Sequence, residues 1–318
     1  MKKMMTKMFS AVCASALLAG SAAMLPASAE EIQSAPHIMG DLNRDCRVTM
    51  ADAKLALDVA VMSSIGLMDK ETTEETNPAD INMNGTVEIA DAIAIMRYYC
   101  RTMINDQPLW AEIRKLSYTD GTEYDPFYMD REEGEESSAN LPFEKRGLYV
   151  EIGCAEGKPG EKVTVPVYIA GANKMTAFEY VGLYPEKLEL TRIQSEFGVD
   201  YAKEYDEEAG GFRWFKNTVP ALGDGFTSAA VNEELRIGVL AWMSLNGVEL
   251  DVQEGKIIAN YTYQIPEDAK AGDTFILTSD TKKNRFNAAF DLVGEGDDEK
   301  AVIENYQYTL LDGVIAVK

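Results

Sequence analysis

From Gly147 onward apolar residues recur at every second position: Leu148, Val150 and Ile152, then Val163, Val165 and Val167, Leu188 and Leu190, Leu235, Ile237 and Val239, and finally Tyr261 and Tyr263. A period of two turns one side of each segment toward a core and the other toward water, as in half-buried strands. Turn signals punctuate the runs at Lys158-Pro159-Gly160-Glu161, Gly210-Gly211, Asn246-Gly247, Glu254-Gly255 and Asp312-Gly313. Many short strands with frequent turns predict an all-β sandwich or barrel over 147–318. Its 172 residues can bury a sizeable core without disulfides, so Cys154 is expected as a small buried residue.

Nearer the amino terminus the period changes. Ala51, Leu55, Val59 and Met62 recur at helical spacing, and so do Ile89, Ile93, Met96 and Cys100. Each set predicts a helix with an apolar stripe, and the two stripes predict a pseudo-symmetric packed pair. Between this pair and the strands, 104–146 keeps neither period. Trp110 to Leu116 predicts a short helix docked on the pair, whereas Asp120 to Asn140, dense in Asp, Glu, Gly and Ser, predicts an extended, self-repelling spacer.

The first 29 residues have a different pattern. Lys2, Lys3 and Lys7 precede an apolar stretch from Met8 to Leu25, and Ala27-Ser28-Ala29 supplies a small-residue cleavage site. The expected mature chain begins near Glu30, with 30–38 a flexible lead-in, and is secreted and extracellular. No later apolar span predicts membrane insertion. With no C-terminal sorting tail, any hold on a cell surface is expected to be non-covalent.

Charge narrows the chemistry. The chain has 30 Lys+Arg against 53 Asp+Glu, a formal net charge of −23, and losing the three leader lysines would make it −26. Such a field repels phosphate backbones and anionic lipid surfaces, so no nucleic-acid partner is expected. The one histidine, His37, lies in the lead-in, which leaves no imidazole for Ser/His/Asp hydrolysis, Cys/His nucleophiles or His-rich zinc sites. Carboxylate chemistry, oxygen-ligated metals or no chemistry remain.

Oxygen-ligated metals have a clear candidate. DLNRDCRVTMAD from Asp41 and DINMNGTVEIAD from Asp80 form an internal repeat offset by 39 residues. Oxygen-bearing side chains fall at positions 1, 3, 5 and 12: Asp41, Asn43, Asp45 and Asp52 in the first segment, and Asp80, Asn82, Asn84 and Asp91 in the second. The position-7 carbonyls of Arg47 and Thr86 would complete each shell. This is the ligand order of an EF-hand calcium loop, and an all-oxygen set suits Ca²⁺ over softer metals. Gly85 fills position 6 of the second loop, where the turn needs φ > 0, whereas the first loop has Cys46 there and is expected to be strained. Val48 and Val87, both at position 8, are expected to tie the loops together. Position 12 is Asp in both loops, where an ordinary EF-hand has Glu, and only one helix follows each loop.

At these residues the chain resembles the dockerin domain of cellulosomal proteins, spanning 39–103. The resemblance implies a small all-α, duplicated F-hand-like module that folds on two Ca²⁺ ions and binds a cohesin of a scaffoldin. It also implies partner-binding residues at positions 10, 11, 17, 18 and 22 of each repeat. In the first repeat these are Met50, Ala51, Leu57, Asp58 and Met62; in the second they are Ile89, Ala90, Met96, Arg97 and Arg101. The repeats differ at positions 18 and 22, so one preferred binding orientation is expected. Cys46 and Cys100 are expected side by side, either as a disulfide or as two reduced small hydrophobes.

The carboxy-terminal region resembles a cohesin. GLYVEIGCAEGKPGEKVTVPVYIAG, FEYVGLYPEKLELTRI, GKIIANYTYQI and the closing TLLDGVIAVK carry the likeness. It implies a nine-stranded jelly-roll sandwich over 147–318 in which one sheet face captures the dockerin of an enzyme or of another scaffoldin. By position, Ala177, Glu179 and Trp242 fall on that face. The whole chain then reads as a non-catalytic cellulosome adaptor. The alternative is a dockerin-bearing carbohydrate-binding protein, whose Phe212, Trp214 and Phe215 would stack on sugar rings. Paired carboxylates of a glycosidase, drawn from Glu179, Glu204, Asp206, Glu207 and Glu208, are the weakest alternative, because so acidic a chain scatters carboxylates everywhere.

Overall fold

The computed structural model describes residues 38–68, 77–82, 85–104, 107–117, 147–171, 175–217, 225–244, 249–252, 255–293 and 300–318. The leader, His37, Asn84, the Asn246-Gly247 turn and the Asp120 to Asn140 spacer lie outside these residues. No helix among the described residues is long and apolar enough to cross a membrane.

Among the described residues three α-helices precede the strands: α1 (Met50–Ser64), α2 (Ile89–Thr102) and α3 (Trp110–Ser117). Asp52 starts α1, its Oδ2 accepting the Thr49 N–H at 2.9 Å while Thr49 Oγ1 accepts the Ala51 N–H at 3.2 Å, a capping box. Asp91 does the same for α2, accepting the Glu88 N–H at 2.8 Å. The expected apolar stripes are not the packed faces. On α1 the buried positions are Ala53, Ala56 and Ala60, and on α2 they are Ala92, Ala94, Ile95 and Tyr98. Leu55, Met62, Ile89, Ile93 and Met96 are instead exposed, as is Cys100. Small side chains let the helices approach closely, so the long ones are displaced outward. Cys46, Cys100 and Cys154 are all free thiols, so the disulfide alternative is not formed. Val48 and Val87 both pack into the helical core.

Fifteen strands follow among the described residues: β1 (Gly147–Ile152), β2 (Ala155–Gly157), β3 (Lys162–Ala170), β4 (Ala177–Leu183), β5 (Glu189–Ser195), β6 (Val199–Asp206), β7 (Gly211–Asn217), β8 (Gly225–Asn232), β9 (Ile237–Ser244), β10 (Lys256–Gln264), β11 (Thr274–Ser279), β12 (Arg285–Val293), β13 (Lys300–Asn305), β14 (Gln307–Leu311) and β15 (Gly313–Val317). A seven-stranded sheet has the order β14-β1-β3-β10-β5-β6-β7. An eight-stranded sheet has the order β13-β12-β4-β11-β15-β2, with β9 pairing β4 and β8 pairing β9.

The count exceeds the expected nine partly because the first and last strands each break and change sheet. β1 and β14 pair in the seven-stranded sheet, and β2 and β15 pair in the eight-stranded one. Asp312-Gly313 is therefore a crossover between sheets and not the expected turn. Leu235, expected in a strand, lies in the β8–β9 turn and is exposed.

The inward residues of both sheets form one core that includes Leu148, Val150, Val165, Phe178, Tyr180, Leu240, Trp242 and Tyr261. A second core lies on the other side of the seven-stranded sheet. There Tyr149, Tyr168, Ala170 and Leu311, the outward positions of β1, β3 and β14, join Ala56, Ile95, Tyr98, Trp110 and Ile113. The helices thus form a third layer on the outer face of β14-β1-β3, and the described residues belong to one compact unit, Pro36–Lys318.

Candidate functional site

Three surfaces hold the residues singled out in the sequence. The first is the pair of acidic loops. Asp41, Asp52, Asp80 and Asp91 are all buried. Asp41 accepts the N–H groups of Asp45 at 3.1 Å and Cys46 at 2.8 Å, and Asp52 Oδ1 accepts those of Leu42 and Asn43, both at 3.1 Å. The second loop repeats the pattern: Asp80 accepts the Gly85 N–H at 2.8 Å, and Asp91 Oδ1 accepts that of Ile81 at 3.0 Å.

Position 6 has positive φ in both loops, +61° at Cys46 and +81° at Gly85, so the two loops share a turn that only the second fills with glycine. Burial, with added repulsion from Asp52 and Asp45, raises the Asp41 carboxyl to about 6. Burial, with repulsion from Asp80, raises Asp91 to about 7. Among the described residues no three His, Cys, Asp or Glu side chains are grouped as a metal site by themselves, and the second loop offers only two carboxylates, Asp80 and Asp91, beside its asparagines. Asn43 and Asp45 are exposed, Asn82 is partly so, and Arg47 and Thr86 occupy their loops at position 7.

The second surface is the outer side of α1 and α2. Met50, Leu57, Met62, Ile89 and Met96 are between 41 and 57 % exposed, and Ala51, Ala90 and Arg97 are exposed beside them. Asp58 pairs with Lys54 at 3.0 Å, while Arg101 is drawn to Glu112 of α3 at 2.8 Å.

The third surface is the outer face of the eight-stranded sheet. Register aligns three rows across β8, β9, β4 and β12: Phe226, Met243, Ala177 and Asn287; then Ser228, Ala241, Glu179 and Arg285; then Ala230, Val239 and Val181. Val181 is covered where the β11–β12 connection returns, its N–H donating to Asn284 Oδ1 at 2.8 Å. The rest is a low, mostly apolar surface with one carboxylate. Desolvation raises the Glu179 carboxyl above its ordinary value, and the nearby Arg285 charge partly opposes this.

Trp242 is not on this surface. It follows the inward alternation with Leu240, is 5 % exposed, and packs against Phe178 and Phe197 at ring-centroid distances of 6.0 and 5.7 Å. The residues of β9 that do lie on this surface are its neighbours Ala241 and Met243. Sequence reasoning missed these because it followed the largest side chain and did not count the period.

The aromatic cluster is divided. Trp214 stacks on Tyr201 at 4.9 Å and donates its Nε1–H to Glu233 at 3.0 Å, which occupies one ring face and its polar tip. Phe212 is 66 % exposed but meets Tyr205 edge-on, and Phe215 lies on the other side of the hairpin. Glu204, Asp206, Glu207 and Glu208 belong to the β6–β7 hairpin of the seven-stranded sheet, away from Glu179 on β4 of the other sheet.

The all-β sandwich thus carries the helices on the outer side of β14-β1-β3 and leaves an open patch on the outer side of β8, β9 and β4. Residues 148–285 match the family model described as the cohesin domain, so the sandwich carries a cohesin domain over that stretch. The match stops at the first residue of β12, although the sheets continue to Val317.

Solved structures similar to the chain include the third cohesin of ScaC in complex with the ScaB dockerin from Acetivibrio cellulolyticus, 18 % identical, covering 54 % of this chain and 98 % of that one, with a TM-score of 0.36. The seventh ScaB type I cohesin from Pseudobacteroides cellulosolvens is 15 % identical, covering 54 % and 92 %, with a TM-score of 0.38. A non-cellulosomal cohesin from the archaeon Archaeoglobus fulgidus is 14 % identical, covering 54 % and 91 %, with a TM-score of 0.32. No curated protein matches the chain.

Proposed function

We propose that the protein is a secreted, non-catalytic adaptor of a cellulosome. Its cohesin domain captures the dockerin of an enzyme or of another scaffoldin, and its helical layer is a calcium-dependent dockerin that engages a scaffold cohesin. The observation that carries the reading is the cohesin match over 148–285 together with an open, apolar outer face on the sheet that contains Ala177 and Glu179. Small outward residues leave that sheet flat enough for a helical partner to lie against it, and Glu179 gives the partner one charge to register on. The exposed Met50, Leu57, Met62, Ile89 and Met96 supply apolar anchors for the scaffold side.

Calcium is part of the same proposal. Asp41, Asn43, Asp45 and Asp52 in one loop, and Asp80, Asn82 and Asp91 in the other, offer only hard oxygens, and buried carboxylates that repel one another are what a divalent cation relieves. When bound, the ion would neutralise this charge and draw each loop closed.

The test uses the mature chain, residues 30–318, passed in calcium over immobilised dockerins, immobilised cohesins and insoluble cellulose. Retention on a dockerin, lost in Ala241→Arg, together with EDTA-sensitive retention on a cohesin, supports the adaptor. Retention on cellulose with neither protein partner would overturn it in favour of the carbohydrate-binding alternative.

A further inference from the structure

The joint between helical layer and sandwich has one hub. The Trp110 N–H donates to Glu151 Oε1 at 2.7 Å and the Ala111 N–H to Oε2 at 3.2 Å, so a buried carboxylate of β1 caps the start of α3. Tyr149 donates its hydroxyl to the same carboxylate at 2.8 Å. The Trp110 ring stacks on Tyr98 of α2 at 4.1 Å. Its far edge lies so close to Gly40 that an added Cβ would sit 2.5 Å from Cζ2, and Val48 adjoins the same spot.

Gly40 immediately precedes Asp41, and Val48 sits at position 8 of the same loop, so the ring lies against the start of the first acidic loop in the core that Val48 also enters. Two further links reach the sandwich from the helical side. Arg47 Nη2 donates to the Val317 carbonyl at 3.1 Å, and the Tyr98 hydroxyl pairs with the Cys154 thiol.

We propose that this hub makes cation binding in the Asp41 loop and the seating of the helical layer on β14-β1-β3 a single coupled event. An ion that closes the loop fixes Gly40 and Val48, which fixes Trp110, which presents its N–H to Glu151; a released seat in turn loosens the loop. The coupling is reciprocal, so damage on the sandwich side must weaken ion binding in a loop it does not touch. The inference rests on the calcium reading above and extends it from folding of the helical layer to its attachment.

The test uses the mature chain with two readouts: calcium affinity by titration calorimetry, and Cys154 alkylation followed by peptide mass spectrometry. Calcium should slow Cys154 alkylation tenfold or more. Tyr149→Phe, which removes one donor to Glu151 without changing charge, and Glu151→Gln should each weaken calcium binding by about 5-fold or more, at the low end of measured couplings.

Unchanged affinity in both variants, or alkylation indifferent to calcium, would overturn the coupling while leaving the calcium reading standing. A loss in Glu151→Gln alone would reduce the effect to long-range charge and equally overturn it. No calcium binding by the unaltered chain would sink both readings.

Discussion

Each sheet of the sandwich has an outward patch in which one carboxylate sits among apolar neighbours. On the seven-stranded sheet these are Glu151 with Tyr149, Tyr168 and Ala170; on the eight-stranded sheet they are Glu179 with Ala177, Ala230, Val239, Ala241 and Met243. Glu151 is 2 % exposed and held by the N–H groups of Trp110 and Ala111 from the helical layer and by the Tyr149 hydroxyl of its own strand. Glu179 has an arginine alongside and solvent above. The covered face carries large aromatic side chains that interlock with a permanent partner. The open patch carries mostly small side chains, with Phe226 and Met243 along one row. An outward apolar row therefore does not by itself say whether its cover is built in or borrowed.

The comparison can be broken most forcefully at Trp110. Trp110→Ala removes the ring joining Tyr98, Gly40 and the cap on Glu151, and should cost about 3–5 kcal/mol, read as loss of the helical signal at lower denaturant while the sheet transition persists. An unaltered unfolding curve would mean the helical layer is only resting on the sheet.

Chemistry at the covered face gives the next largest effect. Burial raises the Cys154 thiol to about 11, so at pH 8 it should alkylate about two orders of magnitude more slowly than an ordinary thiol with pKa near 8.5, and unfolding should restore the rate. The raised value also fixes a sign for stability. The neutral thiol contributes fully below its unfolded pKa, and that contribution is lost as pH rises through about 11, so the seat should loosen in strong alkali and not in acid. Fast reaction at pH 8 would place Cys154 in solvent.

On the open face Ala241→Arg should leave the melting temperature within the scatter of ordinary surface changes, yet lower dockerin affinity tenfold or more, about 1.4 kcal/mol, in a binding isotherm. If stability fell and affinity did not, the face would be structural. The smallest effect concerns only the cover. Cys46→Gly relieves a left-handed backbone at +61° and should stabilise the helical layer by up to about 1 kcal/mol in calcium, with no change in dockerin capture by the sheet.

Much of this was legible in the chain. The period of two in Leu148, Val150 and Ile152 fixed the inward side of β1 because alternation is a local property of extended backbone. The duplicated oxygen pattern placed Asp41 and Asp80 at equivalent points of two similar turns. The helical stripes were misread, because Leu55, Met62, Ile89 and Met96 recur at helical spacing whichever side faces the neighbour. Only the partner's shape decides that, and Ala53, Ala56 and Ala92 gave the closer approach. Trp242 was misplaced for the opposite reason: a single large aromatic outweighed the parity that β9 imposes on it.

By itself the sequence determined the alternation of the strands and the repeat of the acidic loops, since periodicity and turn chemistry act over a few residues. Tertiary structure alone decided that Tyr149 and Glu151, outward by parity, are buried, that the helical layer shares a core with the sandwich, and that Trp110 joins the first acidic loop to β1. Those contacts join residues some 40 to 270 positions apart, where burial depends on which surfaces meet and no local period records the meeting.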